Sequence, residues 1–120
     1  MDNLVIRKYV NEDFNEVIKL LKEHFNISDN IKSIDDSLNS FGIVATTDKK
    51  IVGYLRIDKL YNPFKKCYYY FLSYVCVDSI YQNMSIGTKM LEFVFNYAKN
   101  DSISYIELTS RSSREAANHL

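Results

Sequence analysis

Gln82-Asn83-Met84-Ser85-Ile86-Gly87-Thr88 is a short polar stretch whose residue types suit the holding of an anion. A β-rich run, Tyr74-Val75-Cys76-Val77, leads into it, and apolar residues at Met90, Leu91, Val94, Phe95 and Ala98 lead out at helical spacing. A helix is therefore expected to open near Ser85. The first turn of a helix leaves several N–H groups unpaired at the positive end of the helix dipole, so a phosphate docks there without any basic side chain. Gly87 has no Cβ and lets an oxygen approach the backbone closely, while Ser85 either caps the helix or offers its hydroxyl to the same anion. An ordinary helix start after a strand uses the same residue types, so this stretch alone leaves both readings open.

Proton-moving groups near that strand are sparse. No Asp or Glu lies between Lys59 and Val77, which excludes a carboxylate base on the long run preceding the polar stretch. Tyr70, Ser73 and Tyr74 are the candidates for a relay through water, although tyrosines in such a run more commonly serve packing. Asp78 at the strand end is a base or a turn former, the second being the commoner use. Cys76 stands between two valines with no neighbouring His or Lys to lower its pKa, as expected of an inert strand cysteine. His24 and His119 are isolated in sequence, so no metal is expected.

These residues need elements to hold them. Leu4 to Tyr9 reads as a strand that runs through Asn11, Glu12 and Asp13 into a helix cap, and Phe14, Val17, Ile18, Leu21 and Phe25 mark an amphipathic helix. Ile31, Ile34 and Leu38 suggest a second, shorter helix within Asp29 to Phe41. Ile43-Val44-Ala45 and Ile51 to Ile57 flank the polar turn Thr47-Asp48-Lys49-Lys50, the pattern of a hairpin. After the break at Asn62-Pro63, Cys67 to Val77 is too rich in Tyr, Phe and Val to prefer helix and should be a central strand. Ile86 to Lys99 is helical, Tyr105 to Leu108 is a strand, and the strand–helix–strand order implies a parallel crossover. Ser112-Ser113-Arg114-Glu115 resembles a capping box opening a last helix through Ala116 and Ala117. The expected fold is α/β, with a mixed central sheet and the order β-α-α-β-β-β-α-β-α.

The totals agree with one small domain spanning 1–120. A chain of 120 residues with 47% apolar residues, ten Tyr and seven Phe can bury a core and is not disordered. Fifteen basic and fifteen acidic residues cancel, so no nucleic acid or anionic membrane is expected as partner. Cys67 and Cys76 sit on one extended segment and cannot pair without a chain reversal, so both read as reduced thiols. No signal-peptide layout and no apolar run of about 18 residues is present, which points to the cytoplasm.

The polar stretch resembles the pyrophosphate loop of the GCN5-related N-acetyltransferase (GNAT) family, which reads Gln or Arg, two residues, Gly, one residue, then Gly or Ala. Gln82-Asn83-Met84-Ser85-Ile86-Gly87 follows that pattern with Ser85 in place of the first glycine. The resemblance extends to Val75-Cys76-Val77 before the loop, Lys89-Met90-Leu91 through Ala98 after it, Arg7 to Phe14, Ile51-Val52-Gly53-Tyr54, and Leu108-Thr109-Ser110 with Arg114, Ala117 and Leu120. It implies the acyl-CoA N-acyltransferase (GNAT) fold and transfer of an acetyl group from acetyl-CoA to a primary amine, small-molecule or peptide, by direct attack in a ternary complex. On this resemblance Val75, Cys76, Val77, Gln82, Asn83, Met84, Ser85, Ile86, Gly87 and Thr88 hold the coenzyme. The acceptor pocket is expected from Asn26 to Phe41 and from the Leu60 to Lys66 turn, with Asp29, Asp35 and Asp36 as charges that could attract a cationic amine. The family continues past its closing helix with a Tyr and a further strand, so the chain is expected to be C-terminally incomplete, with a homodimer as one way to cover the open edge. The alternative is a non-catalytic acyl-CoA-binding or interaction module of the same fold.

Overall fold

Strand pairing follows chain order. The computed structural model describes residues 3–108, and within them β1 (Val5–Lys8), β2 (Ser40–Thr47), β3 (Lys50–Asn62), β4 (Cys67–Val77) and β5 (Tyr105–Leu108) form one sheet in the order β1-β2-β3-β4-β5. The first three pairings are antiparallel and the last is parallel, as the crossover through α2 (Ile86–Asn100) requires. The β2–β3 hairpin turns through Asp48 and Lys49 at φ 52 and 69, the left-handed pair that matches strand twist. At the far end of the β3–β4 hairpin, Asn62 Oδ1 accepts from the N–H groups of Phe64 and Lys65 at 2.9 and 3.0 Å and shapes the turn after Pro63.

Alternation along the strands sends side chains to two opposite faces. Ile43, Ala45, Leu55 and Ile57 pack with Ile86, Met90, Leu91, Val94 and Ala98 of α2. Val44, Tyr54 and Cys76 pack on the other face with Val17, Leu20 and Leu21 of α1 (Phe14–His24). Phe95, grouped with the inward residues on spacing alone, is 45% exposed.

The start of α1 is tied to β1 by an ion pair. Arg7 Nη1 and Nη2 each lie 2.8 Å from one oxygen of the nearly buried Asp13, which also accepts from Val10 N–H at 2.9 Å. The Arg7 hydrogen bonds hold the Asp13 carboxyl below the usual carboxylate range. A lowered native pKa stabilises the fold fully above the unfolded value, near 4, and this contribution is lost as the pH falls through the native value. Asp13→Asn is thus expected to cost about 2 kcal/mol at pH 7, with the gap to the wild type narrowing below about pH 4. Urea titrations across that range check it; a gap independent of pH would place the stabilisation elsewhere.

The second helix expected within Asp29 to Phe41 is absent, so the order observed is β-α-β-β-β-α-β. Short polar side chains there bond backbone and neighbours in place of helical carbonyls. Asp36 Oδ2 accepts from Gly42 N–H at 3.0 Å and, just before the segment, Ser28 Oγ accepts from Asn30 N–H at 3.2 Å, while the main-chain carbonyl of Asp35 accepts from Arg56 Nη2 at 2.9 Å. The expected last helix from Ser112 lies outside the described residues. Both cysteines are free thiols.

Candidate functional site

One irregularity in β4 organises the site. Cys76 pairs with Tyr54 and Ser73 with Arg56, so Tyr74 and Val75 together oppose Leu55, a β-bulge with Tyr74 at φ 53. A bulky residue in that region is strained by roughly 1–3 kcal/mol, the kind of outlier found where a strand is re-aimed for function. The extra residue also switches parity. Tyr70 and Leu72 face α2 before it, Val75 and Val77 face α2 after it, and Tyr74 and Cys76 turn toward α1. The ladder to β5 covers only Tyr69 to Leu72, and beyond Leu72 no described residue pairs with that edge of β4.

The chain leaves β4 through a compact turn. Asp78 N–H donates to Val52 O at 2.8 Å, and its carboxylate accepts from Ile80 N–H at 3.0 Å, which makes Asp78 a turn former. Gln82 Nε2 donates to Val77 O at 3.3 Å and folds the loop against the strand end. Asn83 and Ser85 both take positive φ, 66 and 63, and Met84 between them is half-exposed. Ile86, 1% exposed, anchors the start of α2 in the core.

The first intrahelical bond of α2 runs from Lys89 N–H to Ser85 O at 3.0 Å. The N–H groups of Ile86, Gly87 and Thr88 precede it and have no carbonyl one turn earlier in the helix. Ser85 makes no side-chain cap bond to them. Among the described residues a Cβ added at Gly87 would meet only Val77 Cγ2, at 4.0 Å, so the space beside Gly87 in this first turn is unfilled. Amides at the positive helix end behind an open glycine suit a diphosphate, and the structure in this way fits the phosphate portion of a coenzyme A. Ser85 occupies a left-handed position better suited to glycine. Ser85→Gly is expected to raise stability by about 1 kcal/mol, since strain is relieved and no cap bond is lost. A lowered melting temperature would show that the hydroxyl holds the loop.

On the α1 face a cleft of about 320 Å³ opens beside the bulge. Ile18 and Leu21 of α1, then Ile27, Ile31 and Ile34 of the connection to β2, form its apolar wall, and Tyr54 and Tyr74 close it on the sheet side. Arg56, Asp35 and Ser33 add the polar atoms. Residues of the segment Asn26 to Phe41 line this cleft, whereas the Leu60 to Lys66 turn does not, because it lies at the other end of the long β3–β4 hairpin. Asp36 is paired with Arg56 at 2.9 Å and Asp29 with Lys22 at 3.1 Å.

The relay candidates separate in space. Tyr70 is wholly buried, its hydroxyl donating to Asp101 at 2.7 Å, and burial followed by that hydrogen bond pushes its pKa up. It is a core residue on the α2 face. Tyr74 lines the cleft, packed edge-on against Phe25 with centroids 5.2 Å apart, and Ser73 is half-buried opposite Arg56. Burial pushes the Cys76 thiol up to about 12, as expected of an inert cysteine. Among the described residues no cluster of His, Cys, Asp or Glu could hold a metal ion, and no helix is long and apolar enough to cross a membrane. Sequence reasoning missed Arg56 and Tyr54 as cleft residues. The signal for Arg56 was a lone cation in the apolar run Ile51 to Ile57.

Comparison with known proteins bears on the family and the fold. The sequence profile of the Acetyltransferase (GNAT) family matches residues 6–120. No curated protein sequence matches the chain. Among solved structures, the aminoglycoside acetyltransferase meta-AAC0020 from an uncultured soil metagenomic sample superimposes with a TM-score of 0.79 at 19% identity, covering 98% of this chain and 85% of its own. Glucosamine-6-phosphate N-acetyltransferase from Arabidopsis thaliana gives 0.76 at 15% identity, with 98% and 89% covered. A protein of Clostridium acetobutylicum, described as a predicted acetyltransferase and solved with acetyl-CoA, gives 0.73 at 16% identity, with 97% and 87% covered. At identities this low the superpositions establish a shared fold and nothing finer.

Proposed function

Because the chain belongs to the acetyltransferase (GNAT) family, we propose that it is an N-acetyltransferase that moves an acetyl group from acetyl-CoA to a primary amine by direct attack in a ternary complex. The observation that carries this reading is the juxtaposition of open first-turn amides at Ile86, Gly87 and Thr88 with the bulged outer edge of β4.

In this reading the amides of residues 86–88 bind the diphosphate, with Gln82, Asn83, Met84 and Ser85 shaping the loop that presents them. Main-chain groups of Val75, Cys76 and Val77 along the outer edge of β4 pair with the pantetheine arm and stabilise oxygen charge as it develops. Bound there, acetyl-CoA supplies an acetyl group activated as a thioester. The amine receives it without an acyl-enzyme, because the nearby thiol, Cys76, is buried on the α1 face and protonated at neutral pH. With no carboxylate on β4, the amine proton leaves through water, with Tyr74 and Ser73 as relay groups beside the cleft, while the thioester C–S bond breaks and CoA departs as a thiolate that takes a proton from solvent. Tyr70, held on Asp101, takes no part.

Release of free thiol from acetyl-CoA across a panel of primary amines tests the reading, together with calorimetric binding of CoA. Amine-dependent turnover supports it. CoA binding with no turnover on any amine supports the alternative, an acyl-CoA-binding module. Absence of CoA binding rejects both.

A further inference from the structure

The cleft beside Tyr74 has a composition that selects among amines. Its wall is built from Ile27, Ile31 and Ile34 on the connection to β2, facing aliphatic residues of α1 and the ring of Tyr74. Two carboxylates stand near it, and they are not equivalent. Asp36 is spent twice, pairing with Arg56 Nη1 at 2.9 Å and accepting from Gly42 N–H at 3.0 Å. Asp35 lines the cleft, exposed, and among the described residues its carboxylate accepts from the neutral Ser33 hydroxyl alone, at 3.5 Å.

Arg56 offers no docking point for an anionic acceptor. Nη1 donates to Asp36 and, at 3.4 Å, to Tyr54 Oη, while Nη2 donates to Asp35 O at 2.9 Å and to Ser40 Oγ at 3.0 Å. All four of its terminal hydrogens are therefore directed within the protein, and the guanidinium clips residues 35–40 onto the sheet. Arg56 is a positioning residue for the cleft wall.

One free carboxylate, an apolar wall and about 320 Å³, the small end of the range for ligand pockets, fit a small monoamine with an apolar body. Desolvating that body against isoleucines and tyrosines is favourable in proportion to the area buried, and Asp35 matches a single ammonium. A polyamine or an aminocyclitol would bring several charges or hydroxyls to a wall that pairs few of them, at a cost of desolvation. We propose that this cleft is the acceptor site and that its acceptor is a monocationic primary amine bearing an aliphatic or aryl group, oriented by Asp35. This rests on the transferase reading only for the word acceptor; the binding preference stands by itself.

The test uses the whole chain with four probes: phenethylamine, n-hexylamine, spermidine and sisomicin. Their binding to the protein without acetyl-CoA is measured by calorimetry and by perturbation of isoleucine methyl resonances, and thiol release with acetyl-CoA is measured in parallel. The two apolar monoamines are expected to bind roughly tenfold or more tightly than the polycations, with shifts at Ile27, Ile31 and Ile34. Ile31→Asp, at a 40% exposed position, is expected to lower the preference for phenethylamine over spermidine by at least about fivefold. If that variant does not fold, Ser33→Asp, also on the cleft and exposed, carries the same expectation.

Preferential binding of apolar amines with no turnover would sustain the proposal and reject the transferase. Turnover that favours spermidine or sisomicin would sustain the transferase and overturn the proposal, as would binding of no apolar amine or shifts confined to residues outside the cleft.

Discussion

Gly87→Val is expected to weaken CoA binding by one to two orders of magnitude while leaving the melting temperature nearly unchanged. The two halves of that expectation have separate physical origins. Among the described residues an added Cβ at Gly87 meets only Val77 Cγ2, at 4.0 Å, and the backbone there needs no positive φ, so the fold accepts a side chain. A β-branched residue then stands in the space before the amides of Ile86, Gly87 and Thr88. Each charge-assisted bond from an amide to a phosphate is worth about 1.5–3 kcal/mol, so losing the equivalent of one gives the stated range. Calorimetry against CoA and a thermal melt on the same sample decide it. Unchanged affinity would remove the helix terminus from the binding site, and an unfolded variant would show that residue 87 is not in open space. Gly87→Ala should fall between, because its single methyl intrudes less.

Gly42 poses the opposite case. A Cβ there would lie 2.7 Å from Tyr54 Cε1 and Oη and 2.9 Å from Cζ, inside contact distance of a ring that is 1% exposed. Tyr54 cannot swing away freely, since the Tyr9 ring stands edge-on to it at 6.3 Å and Arg56 reaches its hydroxyl at 3.4 Å. Gly42→Ala is therefore expected to destabilise the fold by about 1–3 kcal/mol through overpacking. Because Tyr54 and Arg56 both line the cleft, the variant should also impair amine binding while CoA affinity holds. Combining it with Tyr54→Leu separates strain from a general loss: the double variant should cost less than the sum of the singles. Strict additivity in urea titrations would show that the contact with Tyr54 is not the cause. Together the two glycines divide the site, one governing the coenzyme and the other the cleft.

Some features were readable from local pattern because their causes are local. β4 and β5 occupy the ranges expected, Cys67–Val77 and Tyr105–Leu108, since a dense run of aromatic and β-branched residues between Pro63 and Asp78 admits little else. α2 opens beside Ser85 as expected, where apolar spacing begins at Ile86. Their neighbours alone point to Asp78 as a turn former and to Cys76 as inert, and the hydrogen bond to Ile80 and the burial of the thiol agree. The second helix misled because Ile31, Ile34 and Leu38 imitate helical spacing. What opposes it is Arg56, some twenty residues away, which draws the Asp35 carbonyl and the Asp36 carboxylate into the sheet's own bonding.

The candidate relay residues show the same limit. Tyr70 and Tyr74 differ by four positions in one strand, and an unbroken alternation would put them on one face. The bulge at Tyr74 and Val75 turns one into the α2 core and the other into the cleft wall. Residue type does not announce a tyrosine at φ 53.

From residues alone came the kinds of element, most of their order, the parallel crossover and a helix that starts on small residues after a strand, because periodicity and capping act over a few positions. Tertiary structure decided where β4 bulges, which tyrosine reaches the cleft, that among the described residues Asp36 has a cationic partner while Asp35 has none, and that the space beside Gly87 is unfilled. Those outcomes depend on register between strands and on partners distant in sequence, and no local pattern encodes either.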